Sequence, residues 1–323
     1  MKKLIAILLT LVLCLTLGAS AMAAEELPVY LIMPVAGGPA WGLCEDGFMD
    51  KIDSYADEGY TGHVLAPTTA GNQSEMLEQL EGAIQAGAKV IIMRIVSEDM
   101  FNDALQRAKD AGILLLGISS GTMKAMDTYC AADCGTNSAN LGIAVAEALN
   151  QSAPEGEQLN IVTFQGQLTN EQNNVGVDAF VARITELRPD AVIVSREECH
   201  SNAAEAQDRI SALRLANPNL NAVANFDSMG ALGVAAFVTE NGFQDSFYNI
   251  GIDANDEILA GVKNGSMSCT VAQHWFEMGG DVVELAHTIL NGGEYERQND
   301  TGTTIIFPDA VDAWCEKYGI ELS

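Results

Sequence analysis

The chain reads as an α/β protein built on parallel sheets. Three observations predict this. Short β-rich runs alternate with amphipathic helical patterns from Val29 to the C-terminus. Ile113 to Ile118 is a continuous apolar run, the kind buried on both faces of a parallel sheet. No charged or low-complexity linker interrupts the rhythm; the nearest thing to a boundary is Gly135 to Ala139.

The elements follow in order. Val29 to Met33 predicts a strand and Glu45 to Tyr55 a helix. Val64-Leu65 is a brief strand, Ser74 to Ala86 a helix, and Val90 to Met93 a strand. The next helix puts Phe101, Ala104, Leu105 and Ala108 on one face, with Gly112 as its stop. After the Ile113–Ile118 strand, Thr122 to Thr128 lacks helical periodicity and leads into another short strand. Asn137-Ser138 caps a helix. Strands then fall at Ile161–Phe164, Ala191–Val194, Ala222–Ala224, Tyr248–Ile252, Ser268–Ala272 and Thr303–Ile306. Between them lie helices at Glu171–Leu187, Asn202–Leu215, Ser228–Asn241, a short one ending at Val262, and Phe276–Leu290, with a last helix at Asp309–Tyr318. Such units imply right-handed crossovers. About eleven strands fit either one eight-stranded barrel with extras or two doubly wound domains.

The N-terminus has the form of a signal peptide over residues 1–24. Lys2 and Lys3 precede an apolar run from Leu4 to Leu17, and Ala21-Met22-Ala23 is a small-x-small cleavage site. The run is short for a membrane anchor, and no other stretch is long and apolar enough to span a bilayer. Cys14 follows Leu13 in mid-run, so no lipid attachment is expected. The protein is therefore expected outside the cytoplasmic membrane. About 300 mature residues suggest one large or two medium domains. The formal charge is −28, and losing Lys2 and Lys3 makes it −30. Such a surface disfavours nucleic acid and anionic membranes as partners. Cys44, Cys130, Cys134, Cys199, Cys269 and Cys315 remain after export, an even number that permits disulfides. Most lie within apolar patterns, where buried free thiols are the default.

Gly117-Ile118-Ser119-Ser120-Gly121 matches the G-x-S-x-G nucleophile elbow, and Asp253 and His274 follow in triad order. A secreted Ser hydrolase using Ser119 is the alternative of another class. An elbow needs a helix directly after it, and Thr122 to Thr128 does not read as one. Walker, G-x-G-x-x-G and H-E-x-x-H motifs are missing, and none of the four His has metal-ligand spacing to another. Neither cofactor nor metal is expected.

The strand ends tell a different story, since open α/β sheets bind ligands beyond the carboxyl ends of their strands. Gly38-Pro39-Ala40-Trp41, Ser119-Ser120, Gln165-Gly166-Gln167, Asn225-Phe226-Asp227, Asp253 and Gln273 all lie there, and Asn173-Asn174 open a helix. Amides, hydroxyls and carboxylates bind the rim of a sugar ring while aromatic faces pack on its apolar faces. Taken singly, each could instead cap a helix.

With these residues on the page, the chain resembles the type I periplasmic binding proteins of simple-sugar ABC transporters, ribose-binding branch, over nearly all its mature length. The carrying pieces are Gly38-Pro39-Ala40-Trp41 leading to Gly47-Phe48, Ala104 to Ile113, Gly135-Thr136-Asn137-Ser138 through Gly142, Asn217-Pro218, Phe226-Asp227-Ser228-Met229, Gly251-Ile252-Asp253 and Thr270 to Gln273. The resemblance implies two Rossmann-like doubly wound domains joined by three chain crossings. They would hold residues 27–133 plus 274–302 and residues 134–273 plus 303–323. It implies hinge closure on a small ligand, most simply a monosaccharide or polyol, delivery to an ABC permease, and a monomer. A sensor feeding a membrane receptor is the alternative among binding proteins. By the same resemblance Trp41 would stack on the ligand, and Asn225, Asp227, Asp253 and Gln273 would hydrogen-bond it. Ser119, Ser120, Gln165 and Asn174 would fill the places of the family's charged clamps. With those Arg clamps absent, a neutral or cationic ligand is expected.

Overall fold

A computed structural model describes residues 26–322 except 38, 70, 96–97, 120–124 and 132–135. The expected signal peptide, Ser120 and Cys134 lie outside the described residues.

Two separate six-stranded sheets replace the barrel alternative. In the first, β1 (Leu27–Ile32) lies between β2 (Tyr60–Leu65) and β3 (Val90–Met93), both parallel to it. The sheet continues through β4 (Leu114–Ile118) and β5 (Thr128–Ala131) to β11 (Gln298–Asp300), again all parallel. In the second, β6 (Asn160–Gln165) lies between β7 (Val192–Glu198) and β8 (Ala222–Asn225). Beyond β8 come β9 (Tyr248–Ile252), β10 (Cys269–Gln273) and β12 (Thr303–Ile306), with only the β10–β12 pair antiparallel. Strand order thus reverses beside β1 and again beside β6. Crevices at the carboxyl ends open at such points.

The helices are α1 (Pro39–Ser54), α2 (Gln73–Gln85), α3 (Glu98–Asp110), α4 (Thr136–Ser152), α5 (Glu171–Leu187), α6 (Ala203–Ala216), α7 (Ser228–Asn241), α8 (Asp256–Lys263), α9 (Trp275–Leu290) and α10 (Val311–Tyr318). Each sheet is covered on both faces. On the first, Phe48, Val282 and Val283 close one core and Leu80, Phe101 and Leu105 the other. On the second, Val145, Phe180 and Ile184 pack on one face and Ile210, Val234 and Phe237 on the opposite one. The chain passes between the sheets after β5, between β10 and α9, and between β11 and β12.

Two motif glycines have a packing reason. A Cβ on Gly47 of α1 would stand 1.9 Å from the Phe276 carbonyl oxygen of α9. A Cβ on Gly142 of α4 would stand 2.0 Å from the Gly176 oxygen of α5. Each sheet therefore carries at least one helix pair in backbone contact that only glycine permits.

Some boundaries differ from the sequence reading. α1 begins at Pro39, six residues before the expected Glu45, because proline's fixed φ suits a first helical turn. β2 begins at Tyr60, ahead of the expected Val64, since Thr61, Gly62 and His63 continue the pairing with β1 on a less buried side. β11 is Gln298-Asn299-Asp300, and no apolar residue announces it. Among the described residues Cys44, Cys199 and Cys269 are buried free thiols, Cys130 is buried, and Cys315 is half-buried and free. Burial pushes the thiols of Cys44, Cys199 and Cys269 up to about 12.

Candidate functional site

The carboxyl ends of the two sheets face a cleft with two chambers. A polar chamber of about 340 Å³ is lined from the first sheet by Arg94 and Ser119. From the second sheet come Gly166, Gln167, Asn173, His200, Phe226 and Ile252. An aromatic chamber of about 280 Å³ is lined by Ala40, Leu43, Met229, Phe276, Trp314 and Tyr318 among others. Ser201, Asp227, Ser228, Asp253, Gln273 and Trp275 belong to both.

Asp253 is the hub of this shared wall. It follows β9, and its N–H donates to the Val271 carbonyl at 3.0 Å. Its Oδ1 accepts from Gln273 Nε2 at 2.9 Å and from Trp275 Nε1 at 3.1 Å. Its Oδ2 accepts from the Ser228 hydroxyl. Gln273 ends β10 and Trp275 opens α9, so one carboxylate ties a strand end to a helix of the other sheet. Gln273 Oε1 is buried and has no hydrogen-bond partner. A buried orphan acceptor is costly unless something donates to it.

Asp227 has a double duty. It N-caps α7, with Oδ1 accepting from the Gly230 N–H at 3.0 Å. Its Oδ2 accepts from Ser201 Oγ at 2.6 Å. The capping role and the place on the cleft wall coexist, so the two readings of this residue are not alternatives.

The backbone carries a second signal. Among the described residues, the non-glycine positions with positive φ are Ser119, His200, Ser201 and Asp253, and all four line the polar chamber. Side chains pay for that conformation, and such strain concentrates at sites that clamp ligands.

Of the residues expected at the site, Ser119, Asp227, Asp253 and Gln273 meet at the cleft. Four others turn elsewhere. Trp41 is buried in the first core with its ring centroid 5.3 Å from that of Trp275, and the latter lines the chambers. Asn225 is fully buried and donates to Asn249 Oδ1 at 2.9 Å and the Ile250 carbonyl at 2.7 Å. Gln165 donates to the Gln167 carbonyl and to Asn174 Oδ1, and Asn174 donates to the Leu168 carbonyl, so the pair knits the loop after β6. The neighbouring Asn173 lines the cleft in place of Asn174.

Arg94, His200 and Ser201 were not anticipated. Arg94 directly follows β3, so the strand-end rule applied to that strand would have found it. His200 and Ser201 follow β7 by the same rule, but their left-handed backbone has no sequence signal.

The hydrolase alternative does not survive the geometry. Ser119 has the left-handed φ of an elbow, but His274 brings it no base. His274 Nδ1 lies 2.8 Å from the Thr301 carbonyl oxygen and Nε2 lies 2.8 Å from Thr304 Oγ1. The Asp253 carboxylate orients Gln273, Trp275 and Ser228 rather than an imidazole. Among the described residues no cluster of three His, Cys, Asp or Glu could hold a metal ion. No described helix is long and apolar enough to cross a membrane.

Comparison with known proteins agrees with the two-sheet architecture. Residues 29–294 match the periplasmic binding protein domain. The chain is 24% identical to the D-apiose import binding protein of Actinobacillus succinogenes, over 93% of this chain and 94% of that one. It is 21% identical to the ribose import binding protein of Salmonella typhimurium, over 90% of this chain and 94% of that one. A crystal structure of an ABC transporter solute-binding protein from Actinobacillus succinogenes with bound D-allose superposes with a TM-score of 0.79 at 18% identity. That match covers 89% of this chain and all of the other.

Proposed function

Because the chain belongs to the periplasmic binding protein family, we propose that it captures a small neutral sugar in the cleft and hands it to an ABC permease. It is a binding protein of the sugar-import type and not an enzyme. Its place of work is the outer side of the cytoplasmic membrane, as for the import proteins it resembles.

The observation that carries the reading is the Asp253–Gln273–Trp275 cluster. It offers what a sugar needs: carboxylate oxygens for hydroxyl donors, an amide with an unmet acceptor, and an indole beside them. Asn173 and Ser119 supply further polar rim, and Arg94 adds one cation opposite Asp227 and Asp253. One cation against two carboxylates keeps an anionic ligand unfavourable in a desolvated cleft.

The proposed mechanism is closure without chemistry. The moving parts are residues 27–133 plus 274–302 and residues 134–273 plus 303–323, turning about the three crossings. Closure would bring Arg94 and Ser119 of one part onto a sugar already held by Asp253 and Gln273 of the other. Trp41 would act from behind, fixing the plane of Trp275. The closed pair then presents one joint surface to a permease.

Thermal melting against pentoses, hexoses, deoxy sugars and polyols tests this. A ligand at a thousandfold excess over its Kd stabilises by about 4 kcal/mol, a shift on the order of 10 °C for a chain this long. A chemically narrow set of hits is expected. A midpoint unmoved by every sugar and polyol would sink the reading.

A further inference from the structure

We infer that the cleft takes a sugar carrying a flat, weakly polar substituent on its anomeric carbon, the ring in the polar chamber and the substituent in the aromatic one. This rests on reading the cleft as a sugar site. A bare monosaccharide has polar groups around its whole rim and needs partners there. The polar chamber supplies them in Arg94, Asn173 and His200. The aromatic chamber holds none of these and is walled by Leu43, Met229, Phe276, Trp314 and Tyr318. The chambers meet at Asp253, Gln273 and Trp275, so a ligand hydrogen-bonded by that cluster stands at the doorway of both.

Size and chemistry define the substituent. An apolar cavity of about 150 Å³ accepts a benzene ring. The aromatic chamber has about 280 Å³, enough for one ring system and its linking atom. Trp314 and Tyr318 lie one helical turn apart on α10 with ring centroids 4.7 Å apart, forming a continuous aromatic wall. Trp314 Nε1 is buried without a hydrogen-bond partner, a donor that would suit a ring heteroatom or glycosidic oxygen after a small shift. Lys317 Nζ sits 5.8 Å from the Trp314 ring centroid and 4.5 Å from that of Tyr318, so a cation already serves the outer side of this wall. A neutral planar group therefore fits the chamber better than a second cation. Aryl O-glycosides and nucleosides share this chemistry.

Calorimetric titration of the mature chain tests the idea. The probes are D-ribose, D-allose, D-galactose and D-glucose, the phenyl β-glycoside of each, and adenosine and uridine beside ribose. One substituted form should bind at least about tenfold tighter than its free sugar, as burial of an aromatic ring predicts. Preference among phenyl glycosides identifies an aryl glycoside, and preference for adenosine or uridine identifies a nucleoside. Met229→Lys, at an exposed rim position, and Tyr318→Ala should each cut that gain below about threefold with the free sugar's Kd within about twofold. A free sugar that binds as tightly as all its substituted forms overturns this inference and leaves the sugar reading intact. A gain that survives both variants also overturns it. Failure of every probe overturns this inference, while the sugar reading stands or falls with the wider melting screen.

Discussion

Gln273 ends β10 and Asp253 directly follows the neighbouring parallel β9, and the amide of the first donates to the carboxylate of the second at 2.9 Å. The bond uses one of the glutamine's two N–H donors and leaves its oxygen buried and unmet. It also gives the two residues different debts to the fold, which separate in mutants.

Gln273→Ala should behave as a ligand-contact variant. It deletes an orphan acceptor along with one donor, so the empty protein loses little. Affinity for the sugar should fall about tenfold while the ligand-free melting point stays within a few degrees. Normal affinity by calorimetry would remove Gln273 from the site.

Asp253→Ala should cost both properties. It strands the donors of Gln273, Trp275 and Ser228 and puts alanine at a φ of +65°. A stability loss of about 1–3 kcal/mol is expected in denaturant unfolding. Asp253→Asn tolerates that backbone, and Ser228 can turn its hydroxyl to accept from the new amide. It should melt near the parent yet bind about tenfold more weakly. If both variants melt alike, the hub description is wrong.

Asn225→Ala should show the reverse pattern. Its amide is committed to Asn249 and Ile250 inside the second sheet. Stability should drop by about 1–3 kcal/mol with the Kd of the surviving folded protein unchanged. A selective loss of affinity would return Asn225 to the cleft.

The contrast among Asn225, Asp227 and Gln273 shows how far the sequence reaches. Strand ends were legible from β-rich runs and helix starts, and they located the cleft. Which way a strand-end side chain turns was not. Asn225 belongs to β8 and faces inward, while Asp227, two residues on, has left the strand and caps α7. Trp41 looked like a ligand platform because it follows a strand, but α1 starts at Pro39, and that start carries Trp41 into the core against Trp275. The short turn from the end of β7 at Glu198 to the start of α6 at Ala203 holds no sequence clue to the left-handed pair His200-Ser201.

Gly47→Ala and Gly142→Ala should test the two helix contacts separately. Each new methyl would meet a carbonyl oxygen at 1.9 or 2.0 Å, so helices must part. Losses of about 1–3 kcal/mol, or more, are expected. Proteolysis should then cut first within the part that carries the altered helix pair. A variant as stable as the parent would mean the pairs shift freely.

Native-state alkylation at mild alkaline pH should mark Cys315 ahead of Cys44, Cys199 and Cys269. Those three are shielded and their thiols are pushed up to about 12, whereas Cys315 is half-buried. Peptide mass spectrometry reads the order, and early labelling of Cys44 would contradict the packing of the first core.

His274 sits where the chain leaves β10 for α9, and it grips Thr301 and Thr304, on the run from β11 to β12. The Thr301 carbonyl only accepts, so Nδ1 donates to it, and Nε2 shares a second hydrogen bond with the Thr304 hydroxyl. Two of the three connecting threads are thus yoked by a single imidazole. In the proposed closure a yoked pair would twist as one strut, removing a torsional freedom from the joint and leaving a narrower arc for the jaws to swing through. Loosening that strut would widen the arc, so the stiffness of the proposed joint would depend on a residue that lines neither chamber but whose ring centroid lies 6.1 Å from that of Trp314.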